Sequence, residues 1–199
     1  MKKLTLLCVM LASAFTLSAV PSLAQQAKGS ALDKMDFGLT YTYKFAKAAT
    51  TSGPEFTIPG GAVDAAYTPG GKWKGFGLAI DVNGESAQDV KPGINLSQIS
   101  FVAGPRYTLR LSRGSLYAES LYGMVHAFNS VFPAGGGTVG VQPTANGFAS
   151  QDGGGINVDF CPHIGWRIVA VDYIYTRLPN ATDTYQSDTR LSSGVTFHF

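Results

Sequence analysis

The sequence predicts an all-β protein, an eight-stranded antiparallel up-and-down barrel that crosses a membrane. Three observations carry that prediction. Apolar residues recur at every second position in one segment after another, as in strands whose two faces meet different surroundings. The connections between segments alternate between short Gly/Pro-rich turns and long stretches. Glycine is 24 of 199 residues and charged residues only 14%, against about 7% and about 25% in ordinary domains. A chain so poor in charge, with no long apolar run beyond its first residues, has to place its hydrophobicity in alternation.

The first residues have a different job. Lys2 and Lys3 precede an apolar stretch over residues 4–20, and "PSLAQQ" follows. Small residues Ser22 and Ala24 stand three and one before a cut between Ala24 and Gln25, the layout of a secretory signal peptide. The apolar stretch is shorter than the ~20 residues of a spanning helix, so a retained anchor is the weaker reading. Cys8 lacks the small preceding residue of a lipoprotein signal. The expected organisation is a signal peptide over 1–24, a short periplasmic segment over 25–34 and the barrel over 35–199.

Removing the leader also removes two of the 15 Lys+Arg, leaving 13 basic against 13 acidic residues. No basic surface remains to take nucleic acid. Of the two cysteines only Cys161 lies in the mature chain, which excludes an intrachain disulfide and a cysteine-based zinc site.

The strands follow in order. In "DFGLTYTYKF", Phe37, Leu39, Tyr41, Tyr43 and Phe45 alternate with Asp36, Gly38, Thr40, Thr42 and Lys44. A weaker strand near 61–69 precedes "GFGLAIDVN", where Phe76, Leu78, Ile80 and Val82 alternate with Ala79, Asp81 and Asn83. "QISFVAGPRYTLR" sets Ile99, Phe101, Tyr107 and Leu109 against Gln98, Ser100, Arg106 and Arg110. A second weak strand covers 115–126. "GGGINVDF" and "IVAVDYIYT" supply the next two, the latter with Val169, Val171, Tyr173 and Tyr175 on one face and Ala170, Asp172 and Thr176 on the other. "RLSSGVTFHF" is the eighth: Leu191, Val195, Phe197 and Phe199 oppose Arg190, Ser192, Thr196 and His198. "TPGGKW", "LSRGS" and "CPHIGW" are the short turns. The long connections fall near 47–60, 84–96, 127–147 and 178–189, which puts both chain ends on the short-turn side.

The dry face is the apolar one. Its partner face is mostly Gly, Ser, Thr and Ala with scattered ions, side chains small enough for the narrow interior of eight strands. The other face is Phe, Leu, Ile, Val and Tyr, with tyrosines near strand ends where a membrane interface would lie. The segments are about as long as the ~9–11 residues that cross a bilayer with tilt. An eighth strand ending early would leave backbone groups unpaired in hydrocarbon, hence an aromatic residue in the last position. A soluble lipocalin-like barrel would carry its apolar face inward and its charge outward.

On these segments the chain resembles the small bacterial outer-membrane β-barrels of the OmpA/OmpX/opacity type. "AGPRYTLR" and "DGGGINVDF" are similar to recurrent strands of that family, and "TRLSSGVTFHF" to its terminal strand. The resemblance implies location in the cell outer membrane of a diderm bacterium, surrounded by outer-membrane lipid and lipopolysaccharide. It also implies that the outer-membrane assembly machinery reads Val195, Phe197 and Phe199. Three positions depart from the family pattern. Ser150 and Asp152 share register with lipid-facing Ile156, so either the sixth strand emerges above Gly153 or the register differs there. Ala170 stands where relatives often place an inward acid.

Chemistry-bearing residues are few. Lys44, Asp64, Asp81, Arg106, Glu119, Asp159, Asp172 and Arg190 are expected to point inward, with Arg106 and Glu119 neighbours across one tight turn. The plainer reading is an ion network filling the lumen; the sharper one is a gated ion path or an acid/base pair. His126 is placed at a loop edge, His163 in a turn and His198 at the inward rim, none with a partner at metal-ligand spacing. A Ser192–His198–Asp172 triad would place its members at different depths. The Gly clusters at 135–137 and 153–155 lack the following helix of a phosphate site. The 127–147 connection is Gly-rich and uncharged, with Phe128, Val131, Phe132 and Val139 as candidate contacts for a surface ligand unless they pack on the rim.

No cofactor or metal is therefore expected. The reading is a non-enzymatic outer-membrane barrel with a structural or adhesion-like role through its outer loops. A lipid-modifying enzyme and a narrow ion channel stand as the alternatives.

Overall fold

The structure, a computed structural model, describes residues 35–47, 55–69, 75–91, 94–133, 141–179 and 185–199. The leader, the Ala24–Gln25 cleavage pair, the 25–34 segment and Val139 lie outside these residues. Ten strands are described: β1 (Met35–Lys47), β2 (Glu55–Tyr67), β3 (Phe76–Lys91), β4 (Ile94–Leu111), β5 (Gly114–Phe128), β6 (Phe132–Pro133), β7 (Val141–Gln142), β8 (Ala145–Cys161), β9 (Ile164–Arg177) and β10 (Gln186–His198). Eight of them close a barrel in the order β1-β10-β9-β8-β5-β4-β3-β2, while β6 and β7 form a small separate hairpin. Every pairing is antiparallel between chain neighbours on the barrel, apart from the β1–β10 seam that closes it.

The seam explains the aromatic last residue. β1 and β10 pair from Asp36↔His198 to Phe45↔Thr189. Backbone bonds between Met35 and Phe199 then carry the ladder one residue further, at 3.0 and 2.9 Å. Removing the last residues of β10 would leave the N–H and C=O groups of β1 unpaired, which hydrocarbon does not tolerate.

The alternation sorts side chains by face. Leu39, Val63, Leu78 and Val171 are exposed on the outside, Leu78 at 66%, while Thr42, Asp64, Asp172 and Arg190 are buried inside at 2% or less. Large apolar groups outside and charges inside is the reverse of a soluble core.

Several strands run past their predicted ends, β2 beginning at Glu55 and β10 at Gln186, inside the connections expected at 47–60 and 178–189. The 84–96 connection is largely strand, because Asn83, Glu85 and Ala87 continue the inward set and β3 stays paired to β4 as far as Lys91↔Ile94, with a register shift after Ala87. Gly84 and Ser86 continue the outward set, so the ladder outlasts the apolar stripe. β5 and β8 likewise stay paired up to Ala127↔Ala145.

β9 contains the main irregularity. Ile156 pairs with Val169 and the next residue, Asn157, with Arg167; on the other side Ser192 pairs with Ala170 and Gly194 with Arg167. One extra residue therefore sits in β9 against both neighbours, a β-bulge at Ile168–Val169. Ser193 Oγ donates to the Arg167 carbonyl at 3.0 Å, satisfying a group that the bulge displaces. Below the bulge Gly165 and Arg167 face inward, and above it Ala170 and Asp172 do.

The departures at Ser150 and Asp152 also resolve. β8 pairs without interruption along β5, and Asp152 is exposed on the outer face opposite Ser120 and Tyr173. Its carboxylate accepts a hydrogen bond from Ser120 Oγ, whose oxygen lies 2.7 Å from the Tyr122 hydroxyl. The outward register is continuous, and this polar spot stands at the level of the outward tyrosines 122 and 173.

Candidate functional site in the filled lumen

The inward residues build four layers between the short-turn end and the long-connection end. The floor joins four strands. Arg110 Nη2 on β4 donates to both carboxylate oxygens of Asp36 on β1 at 3.0 and 2.9 Å. His198 on β10 lies with Nδ1 2.8 Å from Asp36 and Nε2 3.1 Å from Asp159 on β8.

Above the floor, Asp64 on β2 is clamped by two guanidinium groups. Arg167 donates to it from Nη1 at 2.6 Å and from Nη2 at 3.1 Å, and Arg106 Nη2 donates at 3.1 Å. Arg106 Nε also donates to Glu119 Oε2 at 2.6 Å, and Gln151 Nε2 to Glu119 Oε1 at 3.2 Å. The Tyr117 ring lies under both guanidinium carbons, at 4.4 and 4.9 Å from its centroid, which adds cation–π attraction. Gly38 pairs with Asp64, and a Cβ on it would stand 2.0 Å from Asp64 Oδ1. Only a glycine leaves room for that carboxylate.

The third layer centres on Arg190, which donates from Nε and Nη2 to Asp172 Oδ2 at 3.2 and 3.0 Å and lies 3.6 Å from Asp81. Asn83 Nδ2 donates to Asp81 at 2.9 Å. In the fourth, Lys44 pairs with Glu85 and donates to Gln98 Oε1 at 2.6 Å. A cavity of about 10 Å³ between these two layers, lined in part by Lys44, Glu85 and Arg190, has room for about one water.

Beyond the fourth layer apolar groups line much of the lumen, beside buried Asp188 and Thr176. Val125, Ala127, Ala145, Ala149 and Leu178 pack with Phe132, and Ala46, Ile58 and Ala87 form a second group across the barrel. Phe132 is therefore not a loop contact: at 8% exposure it is turned into the barrel mouth by the β6–β7 hairpin, where burial removes its ring from water. Phe128 is half-buried and stacks on His126, and Val131 remains 53% exposed.

Of the eight ions singled out in the sequence, Lys44, Asp64, Asp81, Arg106, Glu119, Asp172 and Arg190 are buried in the lumen, and Asp159 sits at the floor. Arg106 and Glu119 are register partners. Sequence reasoning left Asp36, Glu85, Arg167 and Asp188 out of the interior ions, although all four are buried. Arg167 was lost because its odd number puts it with Val169 and Val171; the adjacent apolar pair Ile168-Val169, which breaks strict alternation, was the available signal. Glu85 was lost to the early end assigned to the third strand. Ala170, where an acid was expected, leaves space for Tyr117: a Cβ on the opposing Gly155 would come within 2.9 Å of both that ring and Ala170 Cβ. Val195 is half-buried on the outer face, with Phe197 and Phe199 exposed beside it.

The arrangement offers little chemistry. Thr196 Oγ1, His198 and Asp36 follow the order of a nucleophile, base and orienting acid, with Thr196 Oγ1 3.3 Å from His198 Nε2. That same nitrogen faces Asp159, and Thr196 is only 1% exposed, so no substrate carbonyl can approach the hydroxyl. Ser192 lies six residues up the strand from His198, opposite Thr42 rather than Asp36. Among the described residues no group of three or more His, Cys, Asp or Glu is placed to hold a metal ion.

A closed eight-stranded antiparallel barrel with an apolar wall and an ionic lumen is the architecture of the small outer-membrane β-barrels. No protein-family model and no curated protein matches the chain. Among solved structures, it is similar to the Neisserial surface protein A at 17% identity, covering 82% of this chain and 97% of that one, with a TM-score of 0.52. It is also similar to Ail, the attachment invasion locus protein of Yersinia pestis, at 14% identity over 83% and 99% of the two chains, TM-score 0.53. A second Ail structure, in complex with the heparin analogue sucrose octasulfate, matches at 16% identity over 82% and 99%, TM-score 0.51. At these identities the likeness is one of fold.

Proposed function

We propose that this chain is an integral outer-membrane protein, non-enzymatic, whose rigid closed barrel displays its long connections at the cell surface. One observation carries the reading: the wall is apolar and exposed while the ions are buried in the lumen. In water such a wall would aggregate; in a bilayer it meets a hydrocarbon core about 30 Å thick. The short turns then lie on the periplasmic side and the long connections outside. Export through cleavage between Ala24 and Gln25, and assembly through the aromatic end at Val195, Phe197 and Phe199, complete the route.

The surface role is contact rather than transport. The 127–147 connection carries no Asp, Glu, Lys or Arg, so it favours an uncharged or apolar surface over a sulfated polyanion of the kind present in the Ail complex. Val131, exposed at its start, is the described residue best placed for that contact. Lipopolysaccharide and neighbouring lipid cover the wall below.

Fractionation of cells expressing the full chain tests the reading. The mature protein is expected in the outer-membrane fraction, starting at Gln25 and running faster on gels when unheated. Recovery as a soluble periplasmic species with no heat-modifiable mobility would overturn it.

A further inference from the structure

We propose that Asp152 marks a binding site on the outside of the barrel wall for an acylated amino-sugar lipid, the class to which the lipid part of lipopolysaccharide belongs. The inference rests on the outer-membrane reading above and names one lipid contact within it. Asp152 is an exposed outward residue of β8, and the outward residues around it are apolar. Phe148 and Ile156 lie four positions to either side on β8, Val171 on β9, and Leu116 and Met124 on β5, all exposed. The carboxylate therefore stands inside the apolar stripe, apart from the acids of the lumen. A charge in that setting has to be offset by hydrogen bonds.

The protein supplies few of them. A carboxylate has about four acceptor sites, and among the described residues Asp152 receives a single side-chain hydrogen bond, from Ser120 Oγ. The Tyr122 hydroxyl lies 2.7 Å from that same serine oxygen, and the Tyr173 hydroxyl donates to Ser187 Oγ at 2.8 Å. Neither tyrosine hydroxyl is spent on the carboxylate. On the periplasmic side of the Ser120–Asp152 pair, Ala118 faces Gly154 across the ladder. That pair carries nothing larger than a methyl group outward, which leaves room for an acyl chain beside the carboxylate.

Whatever covers Asp152 from outside has to bring donors. Tyr122 and Tyr173 flank it on the neighbouring strands, and outward tyrosines mark the boundary between head groups and acyl chains. At that depth a glycerophospholipid offers ester oxygens, which only accept. An acylated amino sugar offers amide N–H and hydroxyl groups at the root of its chains, and these donate. A second copy of the chain would not serve. Among the described residues the outward positions along the middle of the strands include no arginine or lysine to meet the acid.

Competition between two anionic lipids tests the site, because charge alone does not separate them. The mature chain is refolded in detergent micelles, checked by heat-modifiable mobility, and given monophosphoryl lipid A and phosphatidylglycerol in equal amounts. Native mass spectrometry then counts the lipid retained. Wild type is expected to keep one lipid A with a preference of about tenfold, the worth of one hydrogen bond to a charged group. Asp152→Leu removes a charge from the apolar wall and should refold at least as readily, but without the preference. Ala118→Phe, which fills the space beside the carboxylate, is expected to lose it too, while Leu78→Ala, exposed on β3, keeps it. A folded wild-type barrel with no preference, or a full preference in Asp152→Leu or Ala118→Phe, would overturn the site and leave the outer-membrane reading standing. A chain that forms no heat-modifiable barrel would overturn that reading and this inference with it.

Discussion

At the scale of the residue, the lumen is organised by which ion has more than one partner. Asp64 serves two arginines, Arg106 and Arg167, and is 1% exposed. Neutralising it would leave two guanidinium groups facing each other in a site closed to water. Asp64→Asn is therefore expected to cost about 3–5 kcal/mol, the range for breaking a buried ion pair from one side. Gly38→Ala should act in the same direction through geometry alone, since its methyl would occupy the carboxylate's place. Denaturant unfolding of both variants in vesicles measures this; an Asp64→Asn barrel as stable as wild type would show that the clamp contributes nothing net.

At the scale of the element, the strands are set by an alternation that bulges and terminal rows modify. The bulge in β9 is the clearest instance, because deleting its extra residue makes the ladder regular against both neighbours. With Ile168 removed, Val169 stands opposite Ile156, and Arg167 stays opposite Asn157 and Gly194. We expect the Ile168 deletion to fold and to keep Arg167 on Asp64, with a loss of stability smaller than that of Arg167→Ala. Hydrogen exchange along β9 and denaturant midpoints for the two variants check this ordering. A deletion that fails to fold where Arg167→Ala succeeds would mean that the bulge itself shapes the wall. The same element shows where reading alternation stops working: strict parity places Arg167 on the lipid side, and only the pairing on both edges of β9 turns it inward.

At the scale of the whole molecule, three kinds of packing close the lumen in series: an ionic floor, two middle layers of bridged charges below Lys44–Glu85, and an apolar mouth capped by Phe132. The cavity described between the third and fourth layers holds only about 10 Å³, in keeping with an interior filled by side chains. The purified barrel in a planar bilayer is expected to show no discrete conductance steps at neutral pH, and reproducible steps from wild-type protein would contradict the packed interior.

The number of barrel strands, the face that meets hydrocarbon, the short turns and most of the inward ions could be read from residues 35–199 directly. Each follows from a period-two pattern, and a strand cannot satisfy that pattern without sorting its side chains to opposite sides. The partners of those ions could not be read, because Asp64 meets Arg167 across 103 positions of sequence, and closure of the barrel alone brings those strands face to face. The same holds for Phe132, whose apolar ring fits a loop contact or a plug equally well in sequence. Folding decided between them: once β5 and β8 had paired beyond the wall, the ring at the mouth had an apolar lumen beneath it and was buried there.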